Sequence, residues 1–461
     1  MDREMEITRP VYEMLRRAAS RTSMHMPGHK GMSPFGSMEE AYALDTTELP
    51  LTDDLYCPEG ALEEAQRLYA EAAGAAETVF LHNGSTSGIH VMLQLYAREG
   101  DIVLLPRNAH LSAVNGCIAG GLRVRWIPVR QTDDGYCYVA EEDVLAALER
   151  HPEAKALLLT RPDYYGGCIP MERVVAAAHA QGMRVVVDEA HGAHLPWSGA
   201  VRSAGALGAD AWTQSVHKTT PGFTASAVLH LKATEDRAKA LRLLRREQTS
   251  SPSFLMMMSI DDARAWMQMH GREGIRRVTE KADWLRGTLP EAYWNPQLQW
   301  ERQTGYGFDP TRLVIGSRAG GKALEAALRS RGIDAEMCDL HRVVLILTAM
   351  DEPGRLEVLR EALATIRADG CELPPELPEL RYPERRMEVR EATMADCEAV
   401  AMDEASGRIA AQSAGLYPPG IPLVCPGEVI NNEVISLLMQ AKNRERFGLE
   451  GDKLLCVRDN V

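Results

Sequence analysis

The feature that most constrains this chain is a series of short, largely apolar runs separated by helical stretches. "TVFL" (78–81), "DIVLL" (101–105), "RVRWIPV" (123–129), "ALLLT" (156–160), "RVVVD" (184–188), "AWTQSV" (211–216) and "SAVLHL" (226–231) read as strands. Runs such as "EDVLAALER" and "ERVVAAAHAQG" fall between several of them at helical period. A strand apolar on both faces has no side to offer to water, so helices must cover it above and below. The alternation predicts an α/β fold with a mainly parallel sheet, whose ligand crevice lies beyond the carboxyl ends of the strands.

Three strand ends break the apolar pattern with chemistry. The first is Asn83-Gly84-Ser85-Thr86-Ser87, a glycine turn with hydroxyls that opens a helix. Free backbone N–H groups and the helix dipole make such a turn a phosphate cradle, although plain Ser/Thr capping explains it equally well. It lacks the Lys-Ser/Thr of a Walker loop and the G-x-G-x-x-G spacing of a dinucleotide site. The second is "RVVVDEAHGAH" (184–194), in which Asp188 ends an apolar strand. A carboxylate there is costly unless a cation meets it. Asp188, His191 and His194 are also possible metal ligands, but Gly192 breaks the helical register that a histidine pair would use. The third is "SVHKTTP" (215–221), with Lys218 at the end of a later strand. A phosphate cradle, a strand-end Asp and a strand-end Lys on one sheet are the parts needed for pyridoxal 5′-phosphate (PLP). The lysine forms the Schiff base, the aspartate pairs with the pyridine nitrogen, and the helix start takes the phosphate. His110, just past another strand, can lie against the ring.

Bulk properties narrow the class further. Net charge is −14, from 51 basic and 65 acidic residues, the reverse of a nucleic-acid binder. The one dense basic run, "RAKALRLLRRE" (237–247), alternates with Leu and Ala as a solvated helix face does. No apolar run is long enough to span a bilayer, and the charged N-terminus has no secretory core, so a cytoplasmic location is expected. Nine cysteines without a C-x-x-C pair argue against a metal cluster or a disulfide scaffold.

At this point the chain resembles the Orn/Lys/Arg decarboxylase family, bacterial enzymes of the aspartate-aminotransferase (fold-type I) PLP class. The matching stretches run almost end to end: "HMPGHKGM" (25–32), "DDLYCPEGAL" (53–62), "HNGSTSG" (82–88), "RNAHLS" (107–112), "DEAHGAHLPWS" (188–198), "SVHKTTP" (215–221), "QTSSPSFLMMMSIDDAR" (248–264) and "YPPGIPLVCPGE" (417–428). The length is similar to that of the compact members, which lack an N-terminal wing. The resemblance implies that Lys218 is the Schiff-base lysine, Asp188 the pyridinium partner and His110 the stacking residue. By the same likeness Ser85, Thr86, Ser215 and His217 surround the phosphate, and His191 sits near O3′ or Asp188. His217 or Lys218 would protonate the carbanion, and Glu428 would reach the cationic end of the substrate. Ala109, Leu111 and Pro106 depart from the family's common residues around the stacking histidine.

The implied activity is decarboxylation of a basic amino acid, arginine to agmatine for polyamine synthesis ahead of lysine or ornithine. Another PLP reaction on the same fold is the alternative. Residues 1–65 read as an irregular N-terminal arm, 66–305 as the PLP-binding large domain and 306–461 as a smaller α+β part. A Pro-rich linker is expected near 371–386. The "PGHK" (27–30) and "QTSSPSF" (248–254) segments have no evident partner in one sheet, and in relatives of this fold such segments complete a neighbour's site. A homodimer or a dimer of dimers is expected.

Overall fold

A computed structural model of the protein describes residues 7–366, 382–416, 420–441 and 446–458. Its centre is a seven-stranded sheet of β1 (Glu77–Leu81), β2 (Ile102–Pro106), β3 (Arg123–Ile127), β4 (Ala156–Thr160), β5 (Arg184–Asp188), β6 (Ala211–Ser215) and β7 (Ala227–Leu231). In space the order is β1-β7-β6-β5-β4-β2-β3. The pairings from β6 through β5, β4 and β2 to β3 are parallel, and β7 runs antiparallel to both its neighbours. Residues 216–226, which include the short helix Val216–Thr219, join β6 to β7.

Successive strand residues pack into opposite layers, as period-2 geometry requires. Leu105, Leu158 and Val186 meet Ile89, Met92 and Val114 on one face. Leu104, Leu157, Val185 and Val187 meet Val144, Leu148 and Val174 on the other. Each such side chain contributes about 1.5–3 kcal/mol by leaving water. The helix Arg237–Glu247 buries Ala240 and Leu244 and leaves Arg242, Arg245 and Arg246 outward, the solvated face expected of the basic run, while Arg237 is half-buried against Glu77.

The arm shares a core instead of making its own. Helix Pro10–Ala19 sets Val11, Met14 and Leu15 against Leu62, Tyr69 and Phe254. Arg9 clamps Asp262 through two bonds of 2.6 and 2.7 Å. Beyond that helix, Met24, Met32, Phe35 and Met38 are exposed. A four-stranded antiparallel sheet follows, ordered Tyr293–Trp294, Arg312–Ser317, Arg342–Ile346, Met337–Cys338. It therefore begins before residue 306. Two three-stranded sheets and the helix Asn432–Gln440 form the C-terminal part around Val424, Ile430 and Leu438. Of the expected linker, residues 371–381 lie outside the described residues. In the remainder, Arg385 pairs with Glu388.

Candidate active site

The parallel strands aim their carboxyl ends at one cavity of about 700 Å³. At β1 the chain turns through Gly84 (φ +86°), whose N–H donates to the carbonyl of Ala225 at 2.7 Å. Helix Ser85–Tyr96 then starts with Gly84 at its cap and no side-chain cap. The capping alternative therefore fails, and the first-turn N–H groups keep their capacity for an anion. Ser85 Oγ lies 2.9 Å from Ser215 Oγ, which brings the ends of β1 and β6 together. The helix sits hard on the sheet. A Cβ at Gly88 would stand 2.3 Å from Thr213 Oγ1.

After β2, His110 caps the helix Leu111–Gly120. Its Nδ1 accepts from Ser112 N (3.2 Å), so the neutral ring carries its proton on Nε2, and the ring lines the cavity. Burial lowers its pKa, against the pull of Asp188. Asp188 ends β5 almost fully buried and accepts from Ala190 N at 3.1 Å. In register it stands beside Thr160 and Thr213, the same layer of the sheet.

Lys218 projects from the short helix after β6, with Nζ 3.2 Å from His191 Nε2. Burial lowers its pKa, and Asp188 works against that. His217 donates from Nδ1 to the Ser226 carbonyl at 2.9 Å, and burial lowers its pKa as well.

Eight predicted residues thus line one cavity: Ser85, Thr86, His110, Asp188, His191, Ser215, His217 and Lys218. The ninth, Glu428, does not. It is buried against Arg107 through two bonds of 3.2 and 2.8 Å, and it also accepts from Cys425 N at 2.8 Å. Glu428 was expected at the cationic end of the substrate; within this chain it stands outside this cavity, with three of a carboxylate's roughly four acceptor sites taken. His191 is also differently engaged: it stands between Lys218 and Arg312 Nη2 (3.1 Å). His194 faces Asp309 at 3.1 Å. Among the described residues no group of three His, Cys, Asp or Glu, Asp188, His191 and His194 included, is placed to hold a metal ion.

Sequence reasoning missed the far wall. Tyr164, from the "RPDYYGG" loop after β4, packs edge-to-face with His191, ring centroids 4.6 Å apart, and donates to Glu336 Oε1 at 2.8 Å. Glu336, Asp351 and Arg355 line the same cavity, with Asp351 holding Arg355 at 3.0 Å. The Pro and Gly beside Tyr164, directly past an apolar strand, are the signal that marked it as a strand-end loop.

The donor set fits PLP: an uncapped helix start with hydroxyls, a buried carboxylate, and a lysine with a lowered pKa. Sheet order and site together define an α/β fold of the fold-type I PLP class. Family models for the major domain and the C-terminal domain of Orn/Lys/Arg decarboxylases match residues 9–299 and 379–447. The chain belongs to the Orn/Lys/Arg decarboxylase family. It is similar to an arginine decarboxylase of Bacillus subtilis, 33% identical over 94% of this chain and 93% of that one. An inducible ornithine decarboxylase of Escherichia coli is 24% identical over 89% of this chain and 75% of its own length. In fold it resembles the constitutive lysine decarboxylase of Escherichia coli, with a TM-score of 0.81 at 17% identity over 98% of this chain and 82% of that one. No helix among the described residues is long and apolar enough to cross a membrane.

Proposed function

We propose that the protein decarboxylates a basic amino acid, L-arginine ahead of lysine or ornithine, with PLP held through Lys218. The observation that carries this reading is the meeting of Lys218, Asp188, His110 and the uncapped helix start in one cavity. The backbone N–H groups opening helix Ser85–Tyr96, with Ser85, Thr86, Ser215 and His217, would hold the phosphate. Asp188 would keep the ring nitrogen protonated, and His110 would lie along the ring. When bound, the cofactor supplies an electron sink for the broken Cα–carboxylate bond. Lys218 and His217, which line the cavity, are the candidates to return a proton to Cα.

Arginine is favoured by relatives of 30–33% identity that are named arginine decarboxylase, against 22–24% for those named lysine or ornithine decarboxylase. With Glu428 occupied, Glu336 on the far wall is the carboxylate offered to the distal cation. CO₂ release from arginine, lysine, ornithine and glutamate tests the reading. Borohydride followed by mass spectrometry should fix the pyridoxyl group on Lys218. Release from glutamate with none from the basic three would overturn the substrate class.

We infer a homodimer or dimer of dimers, supported by the exposed Met24, Met32, Phe35 and Met38 beside the "PGHK" arm motif. Light scattering should give twice or four times the chain mass. A fully active monomer at dilution would overturn it.

A further inference from the structure

The loop after β5 is docked onto the start of the strand Arg312–Ser317 by its two histidines. His194 Nε2 faces Asp309 (3.1 Å) and lies 3.3 Å from Thr311 Oγ1. His191 Nδ1 meets Arg312 Nη2 at 3.1 Å, and its Nε2 lies 3.2 Å from Lys218 Nζ. Arg312 has no solvent exposure, and its Nε and Nη1 have no hydrogen-bond partner. The one side-chain hydrogen bond of its guanidinium among the described residues goes to His191.

A guanidinium donates and never accepts. Nδ1 of His191 must therefore present its lone pair, and the neutral ring carries its proton on Nε2. That N–H points at Lys218 Nζ. The contact is a hydrogen bond only if Nζ accepts, which an ammonium cannot do. We propose that Arg312 is a positioning residue that, through His191, holds the free Lys218 amine in its neutral, nucleophilic form.

The proposal rests on reading Lys218 as the lysine that condenses with an aldehyde. In that step the amine lone pair forms the N–C bond, and both amine hydrogens leave with the carbonyl oxygen as water. An ammonium has no lone pair to begin it. The surrounding charges divide. Asp188 and Glu336 favour the ammonium, whereas burial and Arg312 oppose it, burial most strongly. Around His191, burial, Lys218, Arg312, His110 and His194 all oppose protonation, which leaves the ring neutral as the relay needs. Tyr164 packs against His191 edge-to-face.

The test uses the full-length apoenzyme and no substrate, so it can fail or succeed independently of the decarboxylase reading. Trace labelling with acetic anhydride across pH, read by mass spectrometry on the Lys218 peptide, gives the fraction of neutral amine. Wild-type Lys218 should label at lower pH than an exposed lysine such as Lys155. Arg312→Met should raise the midpoint by about one unit, an approximately tenfold loss of labelling near neutrality. His191→Leu should raise it similarly, and adding Arg312→Met to His191→Leu should change it little, because the relay is already cut. A shift that persists in the His191→Leu background means Arg312 acts by charge alone and overturns the relay. So does a wild-type midpoint equal to that of Lys155. If Arg312→Met does not fold, His191→Leu alone decides, since an unchanged midpoint there refutes the proposal.

Discussion

Glu428→Gln separates a structural carboxylate from a substrate-binding one. Arg107 lies buried at the end of β2, where it donates to Glu428 twice and also to the Pro422 and Leu423 carbonyls at 2.7 and 3.0 Å. Glu428 Oε2 accepts from both Arg107 Nη2 and Cys425 N, each at 2.8 Å. A glutamine must set its NH₂ against one set of these donors in either flip. It therefore loses at least one charge-assisted bond of about 1.5–3 kcal/mol and leaves the guanidinium uncompensated. Breaking one side of a buried pair costs about 3–5 kcal/mol in all. The guanidinium carbon lies 5.3 Å over the Trp126 ring, one of seven tryptophans in the chain. In urea, Glu428→Gln should move the unfolding midpoint to clearly lower denaturant. The apolar pair Arg107→Met with Glu428→Met should recover most of the loss. An unchanged urea midpoint, together with a KM for arginine raised tenfold or more, would refute this reasoning and return Glu428 to the substrate.

Three further outcomes follow from the site and its supports. Gly88→Ala drives a methyl toward Thr213 and should cost about 1–3 kcal/mol of overpacking, seen as weaker PLP binding in an absorbance titration, with partial relief from Thr213→Ala. Asp188→Asn keeps shape but cannot hold the negative charge. It should lower kcat for CO₂ release by about 10²–10³-fold with KM little changed, and a near-normal kcat would count against its role. His230 is buried between Thr78 (2.7 Å) and Gln214 (3.0 Å), with its pKa lowered by burial to about 3. A depressed folded pKa gives stability that is present above about pH 6.5 and lost as pH falls toward 3, at up to about 1.4 kcal/mol per pH unit. Urea midpoints measured from pH 7 to 4 should therefore fall more steeply for wild type than for His230→Gln.

What the sequence determined by itself is what depends on local pattern. Two-faced apolarity names a strand, a glycine before hydroxyls names an open helix start, and a charge at the end of an apolar run names the functional edge. Ser85, Asp188 and Lys218 were legible for that reason: each is anomalous against its own neighbours. Charge pairing was decided only in three dimensions. Glu428 carries a motif that resembles a substrate residue, yet Arg107, 321 positions away, takes its oxygens. Arg312 lies in an ordinary strand, "TRLVIGS", and gains meaning only because the second sheet docks its first residue against His191. Nothing in the period of a strand records which distant side chain will arrive within 3 Å of it, and at that range the arriving partner sets whether a carboxylate holds the fold or faces a ligand.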